Sequence, residues 1–426
     1  AWRPGRAGPA RHAEGVMTFS EHVTQQQRVI PRRVDVVIAG GGLSGLSLAA
    51  HLAAAGWRDR KVLVVDDPTA GSPATCWGSW TTGSGLLDST ASQSYRALRM
   101  YAGGKPAVLP LRHYRYQLVR RADLASAVAS SVAGCPGFIF HNGRVHAVRE
   151  DASGVDVVID TDTVRADWVF DSTGTTLRQA APADAWMAFT GWEVRSVTPV
   201  FDPHSPVLFD FRTPQADGAR FVYVLPDSSR QALVELTEFV PGRGGAPAPP
   251  PEQQRAALTA YLTDVLHCVD FEVTRTESAV LPLRVRPPER GRGRVVAMGA
   301  QAGLVKASTG YAYQRIQRDS QAIAASMVEH GHPFDVPARR WRHELLDAVL
   351  LRVLERDPRQ VELAFARLFT RLGADAMFCF LDEDNTLAQD LRAMTCVQPL
   401  PFLAALTKCC FRGRAGLRPR RAYWPG

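Results

Sequence analysis

The chain has 426 residues, of which 46% are hydrophobic and 22% are charged, and its formal net charge is +8. This composition excludes a fibrous or intrinsically disordered protein and provides enough apolar residues for two or three packed domains. The sequence has no run of 18 apolar residues and no apolar segment near its N-terminus, so it predicts neither a transmembrane helix nor a signal peptide. Seven cysteines without metal-ligand spacing argue against a disulfide framework or a metal site and favour a reducing cytoplasm.

The positive charge is concentrated at the two ends of the chain. Residues 1–33 contain six arginines against Glu14 and Glu21, and this Arg-, Gly- and Pro-rich segment is predicted to be disordered. Residues 408–426 contain one lysine, five arginines and no acidic residue. Basic segments of this kind bind nucleic acid or anionic lipid, or remain solvated without a ligand.

A glycine-rich turn between a short apolar strand and a helix opens the folded part of the chain. Residues 36–39 form the strand, and Gly40, Gly42 and Gly45 follow it with G-x-G-x-x-G spacing. These glycines permit, in order, a tight turn, close approach of the backbone to a pyrophosphate, and packing of the helix on the strand. The next predicted strand ends in Asp66, which is placed to accept the 2′-hydroxyl of an adenosine ribose. The spacing therefore predicts a dinucleotide-binding domain.

Two later strand ends are predicted to return to the same site. One apolar strand ends in Asp171 and Gly174, and another, near residue 297, leads into the glycine-rich turn of Gly299, Gly303 and Gly310. We expect these residues to contact the bound dinucleotide, because the carboxyl ends of parallel strands meet at one edge of a sheet.

Between these strands the pattern changes to period two, which is typical of an antiparallel sheet, and after residue 336 it becomes helical. The predicted fold class is α/β, with a second domain inserted into the first. The predicted parts are a disordered segment (1–33), a discontinuous dinucleotide-binding domain (34–110, 120–185 and 290–335), an antiparallel-sheet substrate domain (111–119 and 186–289), a helical region (336–411) and a basic tail (412–426).

Several segments together resemble the lycopene β-cyclase family, within the Rossmann-like FAD-binding fold of aromatic hydroxylases and geranylgeranyl reductases. The resemblance runs from about residue 34 to residue 406, and its last segments have no counterpart in generic flavin monooxygenases. The segments are AFTGWEV (188–194), LFDFRTPQADGARFVYVLP (208–226), ALVELTEF (232–239), KASTGYAYQRI (306–316), RRWRHELLDAVLLRVL (339–354), FARLF (365–369) and FLDEDNTLAQDLRAM (380–394).

The resemblance implies an FAD- and NAD(P)H-dependent enzyme that cyclises the ψ end groups of lycopene, or a related acyclic carotenoid, without net electron transfer. It implies a protein peripheral to the cytoplasmic membrane, with no nucleic-acid partner. Three alternatives remain open: an oxidoreductase of the same fold, such as a prenyl reductase or hydroxylase, a cyclase of another polyprenyl chain, and a flavin-binding protein without catalysis.

The chemistry implied by the resemblance needs a strong acid in a dry pocket lined by electron-rich rings. Glu235 in ALVELTEF matches the family's acidic motif and is the predicted acid, although its strand pattern alone fits an outward-facing residue in an ion pair. Glu238 is the second candidate, and a regular strand would place it on the opposite face. Core packing is the commoner role of aromatic residues, so the substrate-lining candidates are predicted as a group: Trp77 with Trp80, Phe189, Trp192, Tyr311 and Tyr313.

Overall fold

A mixed sheet built around the opening glycine motif forms the first layer of the protein. The computed structural model describes residues 30–70, 75–175, 183–215, 218–242, 249–291 and 293–413. The strands of the first sheet are β1 (Arg33–Ala39), β2 (Val62–Asp66), β8 (Phe138–Asn142), β9 (Val145–Asp151), β10 (Gly154–Ile159), β11 (Asp162–Asp171) and β17 (Val295–Ala297).

The parallel part of the first sheet has the order β8–β2–β1–β11–β17. The long strand β11 also pairs antiparallel with β10, which continues to β9. Near-continuous runs of buried apolar residues in β1 and β2 are typical of parallel strands that are covered on both faces. Three helices contribute to the apolar core on one face: α1 (Leu43–Ala54), α2 (Arg121–Val132) and α4 (Tyr313–His330).

A second seven-stranded sheet forms the other main layer. Its strands are β5 (Ala97–Ala102), β6 (Lys105–Pro110), β12 (Ala185–Ser196), β13 (Val207–Asp210), β14 (Ala219–Pro226), β15 (Gln231–Pro241) and β16 (Phe271–Leu283). They have the order β16–β12–β15–β14–β13–β5–β6, and all pairs are antiparallel except β13 with β5. One face packs against α3 (Pro251–Ala260) and a following π-helical turn (Tyr261–Val265).

The opposite face of the second sheet packs against a small sheet and the C-terminal helices. The small sheet has the order β3–β7–β4. Its strands are β3 (Cys76–Thr81), β4 (Gln93–Tyr95) and β7 (Arg115–Arg120). The C-terminal helices are α5 (Trp341–Arg356), α6 (Arg359–Leu372), α7 (Ala374–Leu381), α8 (Leu387–Cys396) and α9 (Pro399–Gly413). Within the ranges given above, no helix is long and apolar enough to cross a bilayer.

The structure confirms the predicted fold class and differs from two predicted domain boundaries. Strands β5 and β6, predicted within the dinucleotide-binding segment 34–110, belong to the second sheet. Strand β7, predicted as part of the substrate domain, belongs to the small sheet. Local hydrophobic periodicity does not encode either difference, because β5 and β6 join the second sheet only through the distant strand β13, and β7 pairs with β3 and β4 and not with the second sheet.

The predicted terminal segments fall mainly outside the described residues. Residues 1–29 and 414–426 are not among them. At the N-terminal side, the disorder predicted for 1–33 does not extend to its last residue, because Arg33 begins β1 and forms an ion pair with Asp167 at 2.8 Å. At the other end, α9 continues two residues past the predicted helical region.

Candidate active site

The turn between β1 and α1 has the geometry expected of a phosphate-binding loop. Gly40 has a left-handed φ of +106°, and a Cβ on Gly45 would lie 1.9 Å from the Gly40 carbonyl oxygen. A Cβ on Gly42 would meet no atom of the described residues within 4 Å. Gly42 caps α1 without a side-chain hydrogen bond, and the first turn of α1 contains no acidic residue. The free amides and the open space at Gly42 fit an anionic pyrophosphate.

Asp66 lies beside this turn, at the end of β2, as predicted. Its carboxylate accepts a hydrogen bond of 2.9 Å from the Gly41 amide. It also forms an ion pair with Arg121 at the start of α2, which the sequence did not single out. Asp66 therefore braces the glycine turn while it stays at the position predicted for ribose recognition.

The other predicted cofactor residues lie at the same edge of the first sheet. Asp171 ends β11 beside Ala39 of β1, and its carboxylate accepts hydrogen bonds from the amide and hydroxyl of Thr173 at 2.8 and 2.6 Å. Gly174 follows this turn and lies next to Gln301. The 299–310 loop connects β17 to α4, and a Cβ on Gly299 would lie 2.3 Å from Ser44 Oγ at the start of α1. Gly303 and Gly310 have φ values of +71° and +77° in the same loop.

Buried ion pairs attach the 299–310 loop to the C-terminal helices. Lys306 Nζ lies 3.0 Å from Asp347 Oδ1 on α5 and 2.9 Å from Glu383 Oε1 after α7. Arg315 also pairs with Glu383. Burial opposes ionisation of Glu383, but Lys306 and Arg315 together lower the pKa of its carboxyl. The C-terminal helices, which carry the most specific part of the family resemblance, thus hold in place the loop that is predicted to contact the flavin.

Glu235 lies on β15 in the middle of the second sheet. Register places it opposite Tyr223 of β14 on one side and Gly191 of β12 on the other. Its side chain points to the face that packs against the small sheet and the C-terminal helices. The Glu235 side chain is partly accessible, in contrast to its buried neighbours Val234 and Leu236.

The surroundings of Glu235 favour its protonated form. Burial raises the pKa of Glu235 to about 8, the negative charge of Glu277 adds to this, and a hydrogen bond of 3.1 Å from Thr237 Oγ1 opposes it. A carboxyl group with this pKa holds a proton at neutral pH and can donate it.

Aromatic side chains from three parts of the fold form a wall near Glu235. Tyr311 Oη lies 3.1 Å from Tyr223 Oη and 3.4 Å from Tyr116 Oη. The Trp80 ring meets Tyr311 edge-on with ring centroids 4.6 Å apart and stacks on Phe378. Burial raises the pKa values of the three tyrosines, and the Glu235 carboxyl adds to the effect, so the hydroxyls stay neutral. We call these five residues the aromatic wall: Trp80, Tyr116, Tyr223, Tyr311 and Phe378.

Phe189 and Tyr311 lie on the Glu235 side of the second sheet, and three other predicted substrate residues do not. Phe189 of β12 packs with the core that includes Tyr223. Trp192 points to the opposite face and packs against α3, because it is an odd number of residues from Phe189. Trp77 and Tyr313 pack with the core of the first sheet. The structure therefore does not bring Trp77, Trp192 or Tyr313 to the acid.

Glu238, the second acid candidate, is engaged in a buried ion pair. Its side chain lies on the face opposite to Glu235, as strand alternation predicts, and Oε2 accepts a hydrogen bond of 2.8 Å from Arg220. Asp210 is likewise structural: it binds Arg212 at 2.7 Å and accepts a 2.7 Å hydrogen bond from Tyr261.

Glu277, a functional candidate that sequence reasoning missed, lies on β16 opposite Gly191. Most of its neighbours on β16 are exposed, yet Glu277 is 6% exposed. The sequence TRTESAV looks like a solvated strand, so periodicity offers no signal for this buried acid. Glu277 is identified only in the folded structure, where it is buried on a strand whose other residues around it are mostly exposed.

A groove of about 700 Å³ reaches the aromatic wall from the C-terminal end of α1. Its lining mixes polar side chains such as Gln314, Arg318 and Asp384 with apolar ones such as Leu86 and Trp80, and it does not include Glu235. The Glu235 face of the second sheet, and not this groove, is therefore the candidate active site.

The model of the lycopene cyclase protein family matches residues 35–407 of the chain. The chain belongs to the lycopene cyclase family. The matched range contains the glycine turn, Glu235, the aromatic wall and most of the C-terminal helices, so the predicted family is confirmed.

Curated proteins named as carotenoid or lycopene cyclases are similar to this chain at low identity. An uncharacterized carotenoid cyclase from Deinococcus radiodurans is 27% identical over 70% of this chain and 71% of that protein. A chloroplastic lycopene beta cyclase from Arabidopsis thaliana is 26% identical over 70% of this chain, and the match spans 60% of the plant protein. A lycopene beta-cyclase from Pseudescherichia vulneris is 27% identical over 44% of this chain and 49% of that protein.

Solved structures with this fold include several flavoproteins. A geranylgeranyl bacteriochlorophyll reductase-like protein from Thermoplasma acidophilum has a TM-score of 0.59 and 15% identity, over 89% of this chain and 99% of that chain. The flavin-dependent brominase Bmp2 has a TM-score of 0.58 and 13% identity, over 89% of this chain and 100% of that chain. This lycopene cyclase family chain therefore has a fold that flavin-dependent enzymes share.

Proposed function

We propose that this chain is a lycopene β-cyclase that converts the ψ end groups of lycopene to β rings, giving γ-carotene and β-carotene. The observation that carries the proposal is the position of Glu235, a carboxyl group kept protonated beside the aromatic wall. Such a pairing of a dry acid with electron-rich rings suits protonation of an alkene better than hydride or oxygen transfer.

The mechanism begins with protonated Glu235. It donates its proton to the terminal double bond of the ψ end group, and a tertiary cation forms on the neighbouring carbon. The adjacent alkene attacks this cation and closes a six-membered ring, and loss of a ring proton gives the product. The carboxylate left on Glu235 offsets the positive charge, and the rings of Tyr223 and Tyr311 present electron-rich faces to it.

FAD is the proposed cofactor, with NAD(P)H as the reductant. The open glycine turn at Gly42 and the start of α1 would hold the pyrophosphate, Asp66 the adenosine ribose, and the 299–310 loop the isoalloxazine ring. When bound and reduced, FAD supplies a further electron-rich ring system for stabilising a cation. Attachment of the 299–310 loop by Lys306 orients this part of the site.

The decisive experiment is an anaerobic incubation of the protein with FAD, NADPH and lycopene in liposomes, followed by chromatography and mass spectrometry. A product of unchanged mass with an altered polyene absorption supports cyclisation. A product that has gained hydrogen or oxygen would instead assign an oxidoreductase of the same fold. E235Q should retain FAD, measured by its absorbance, and yield no cyclic product. If lycopene is unchanged but another acyclic polyprenyl chain is cyclised, the substrate assignment is wrong and the acid chemistry stands.

We also propose that α8 and α9 rest on the cytoplasmic membrane, where the apolar substrate resides. Leu387, Leu391 and Met394 recur with i, i+4, i+7 spacing on α8, and Leu391 is 56% exposed. Leu400 and Leu403 on α9 are 81% and 54% exposed.

Vesicle flotation tests whether α8 and α9 bind the membrane. The double variant L391E/L400E should bind anionic liposomes at least several-fold more weakly, whereas V108E on β6, a matched exposed apolar position elsewhere, should bind normally. Equal binding of all three proteins would exclude this surface.

A further inference from the structure

Glu235 and Glu277 point to the same face of the second sheet with only a glycine between them. Gly191 of β12 lies opposite Glu235 of β15 and also opposite Glu277 of β16. Residues directly opposite each other on neighbouring strands point to the same face of a sheet. Because Gly191 has no side chain, nothing from the intervening strand separates the two carboxyl groups.

The two carboxyl groups differ in their hydrogen-bond donors. Glu277 Oε2 accepts a hydrogen bond of 3.2 Å from the Cys76 amide on β3 and lies 3.7 Å from Cys76 Sγ. Within the part of the chain that the structure describes, Glu235 accepts one hydrogen bond, from Thr237. Donors stabilise the ionised form of a carboxyl group, so Cys76, together with the Thr75 side chain that also hydrogen-bonds Glu277, favours ionisation at Glu277.

A shared proton follows from this arrangement. Burial raises the pKa of Glu277 to about 7, against about 8 for Glu235. Two buried carboxyl groups on the same face of a sheet, with only a glycine between them, repel each other when both are ionised, so they titrate as a pair. The donor asymmetry places the remaining proton on Glu235.

We propose that Glu277 is a positioning residue for Glu235: its ionised carboxyl group, held by Cys76, keeps the pair's proton on Glu235. This proposal depends on the proposed function in one respect only, namely that the proton held on Glu235 is the one donated to the substrate. It assigns Glu277 no direct contact with the substrate.

Other titratable groups near the pair are already compensated or neutral. Glu193 pairs with Arg120 at 3.3 Å and with Arg275 at 3.7 Å, so its charge is offset. Burial and the neighbouring carboxyl groups raise the pKa of the Cys76 thiol, which stays protonated. The groups that face the pair are Cys76 of β3, Tyr116 and Arg120 of β7, Glu193 of β12, Tyr223 of β14 and Tyr311 of the 299–310 loop.

Infrared spectroscopy of the full chain tests the proposal without a substrate. The carbonyl-stretch band of a protonated carboxylic acid that is present in wild type and missing in E235Q belongs to Glu235, and its pH midpoint reports the protonation of that group. In E277Q, where a neutral acceptor still faces Cys76, the midpoint should fall by about one pH unit or more, because the neighbouring charge is gone. E272Q on the same strand removes an exposed carboxyl group and should leave the midpoint unchanged.

An unchanged Glu235 midpoint in E277Q would overturn the proposal and leave Glu277 as an anchor for β3. If E277Q does not fold, the double variant T75A/C76A, which removes both side-chain donors to Glu277, provides the second test. Loss of these donors should move part of the proton to Glu277 and weaken the Glu235 band near neutral pH, and an unaltered band would also overturn the proposal. A shifted midpoint in a protein that cyclises no polyene would instead uphold the pair and contradict the proposed function.

The activity profile provides the matching functional readout. With wild-type protein, the rate of cyclisation should fall as the pH rises through the Glu235 midpoint. In E277Q this fall in rate should occur at a lower pH, shifted by the same number of pH units as the infrared midpoint. If E277Q is slower but its rate falls at the wild-type pH, Glu277 has a purely structural role and the proposal is contradicted.

Discussion

Trp80 Nε1 donates a 2.8 Å hydrogen bond to Asp382 Oδ1, although the two residues are 302 positions apart in the chain. The Trp80 ring also stacks on Phe378, with ring planes 1° apart. Both partners belong to α7 and the residue that follows it. The C-terminal helices therefore orient the indole that meets Tyr311, and they act on the candidate site without supplying its acid.

We expect D382A to lower kcat/KM for cyclisation by about tenfold, because the indole loses its acceptor and the aromatic wall loses its fixed geometry. FAD content should stay at the wild-type level. D384A removes a neighbouring, half-exposed acid that pairs with Arg318 and is the matched control. Steady-state kinetics of the two variants test this prediction. Equal losses of kcat/KM in D382A and D384A would argue against a specific role of the Trp80–Asp382 bond.

The stability of E235Q relative to wild type should increase with pH. In the folded protein the pKa of Glu235 is about 8, against 4.5 for the ordinary group, so the folded state binds the extra proton between these values. The free energy of unfolding of wild type therefore falls as pH rises through this window and levels off above it. Glutamine does not titrate, and E235Q should be more stable than wild type by about 2 kcal/mol above the window. Chemical denaturation at about pH 5 and about pH 9 measures this, and parallel behaviour of the two proteins would contradict it.

Substitutions at Gly191 should reduce activity in proportion to side-chain size. A Cβ there would lie 3.4 Å from Glu235 Oε2 and 3.3 Å from Leu233 Cδ1, so alanine needs a small adjustment and valine a larger one. We expect about tenfold slower cyclisation in G191A and a nearly complete loss in G191V, with near-wild-type FAD content in both. G134A, where a Cβ meets no atom within 4 Å, controls for the added methyl group. Full activity of G191V would show that the space beside Glu235 is not used.

E238Q should lower the free energy of unfolding and leave the rate of cyclisation unchanged. Both side chains of the Arg220–Glu238 pair are 6% exposed, so removing one charge leaves the other buried without its partner. This costs about 3 kcal/mol in comparable buried pairs. Urea unfolding should show the loss, while the activity per folded molecule stays near wild type. The double variant R220M/E238L should recover much of the stability. If E238Q were stable and inactive, Glu238 would have to be reconsidered as the acid.

The local features of the fold were predictable because they depend on neighbouring residues. The apolar run of β1, the G-x-G-x-x-G spacing and the period-two strands of the second sheet each lie within one segment. Alternation along β15 also predicted that Glu235 and Glu238 would face opposite sides. The family resemblance then selected Glu235, which pattern alone did not favour.

The rest of the site depends on pairings between distant segments. Glu277 becomes a neighbour of Glu235 only through the register of β16 on β12. Trp192 points away from Glu235 because of its position in the alternation of side chains along β12. Trp80 and Tyr116 join Tyr311 because the small sheet packs on the second sheet. No local property of these residues distinguishes them from other core aromatics.

The parallel pairing of β13 with β5 has a consequence for recombining this protein with its structural relatives. Residues 97–110 complete a sheet whose other strands come from residues 185–283. A graft of the later segment onto another scaffold of this fold would leave the edge of β13 without its partner, and an unpaired edge invites intermolecular strand addition. Chimeras of this fold should therefore exchange both segments together, since neither is a module by itself.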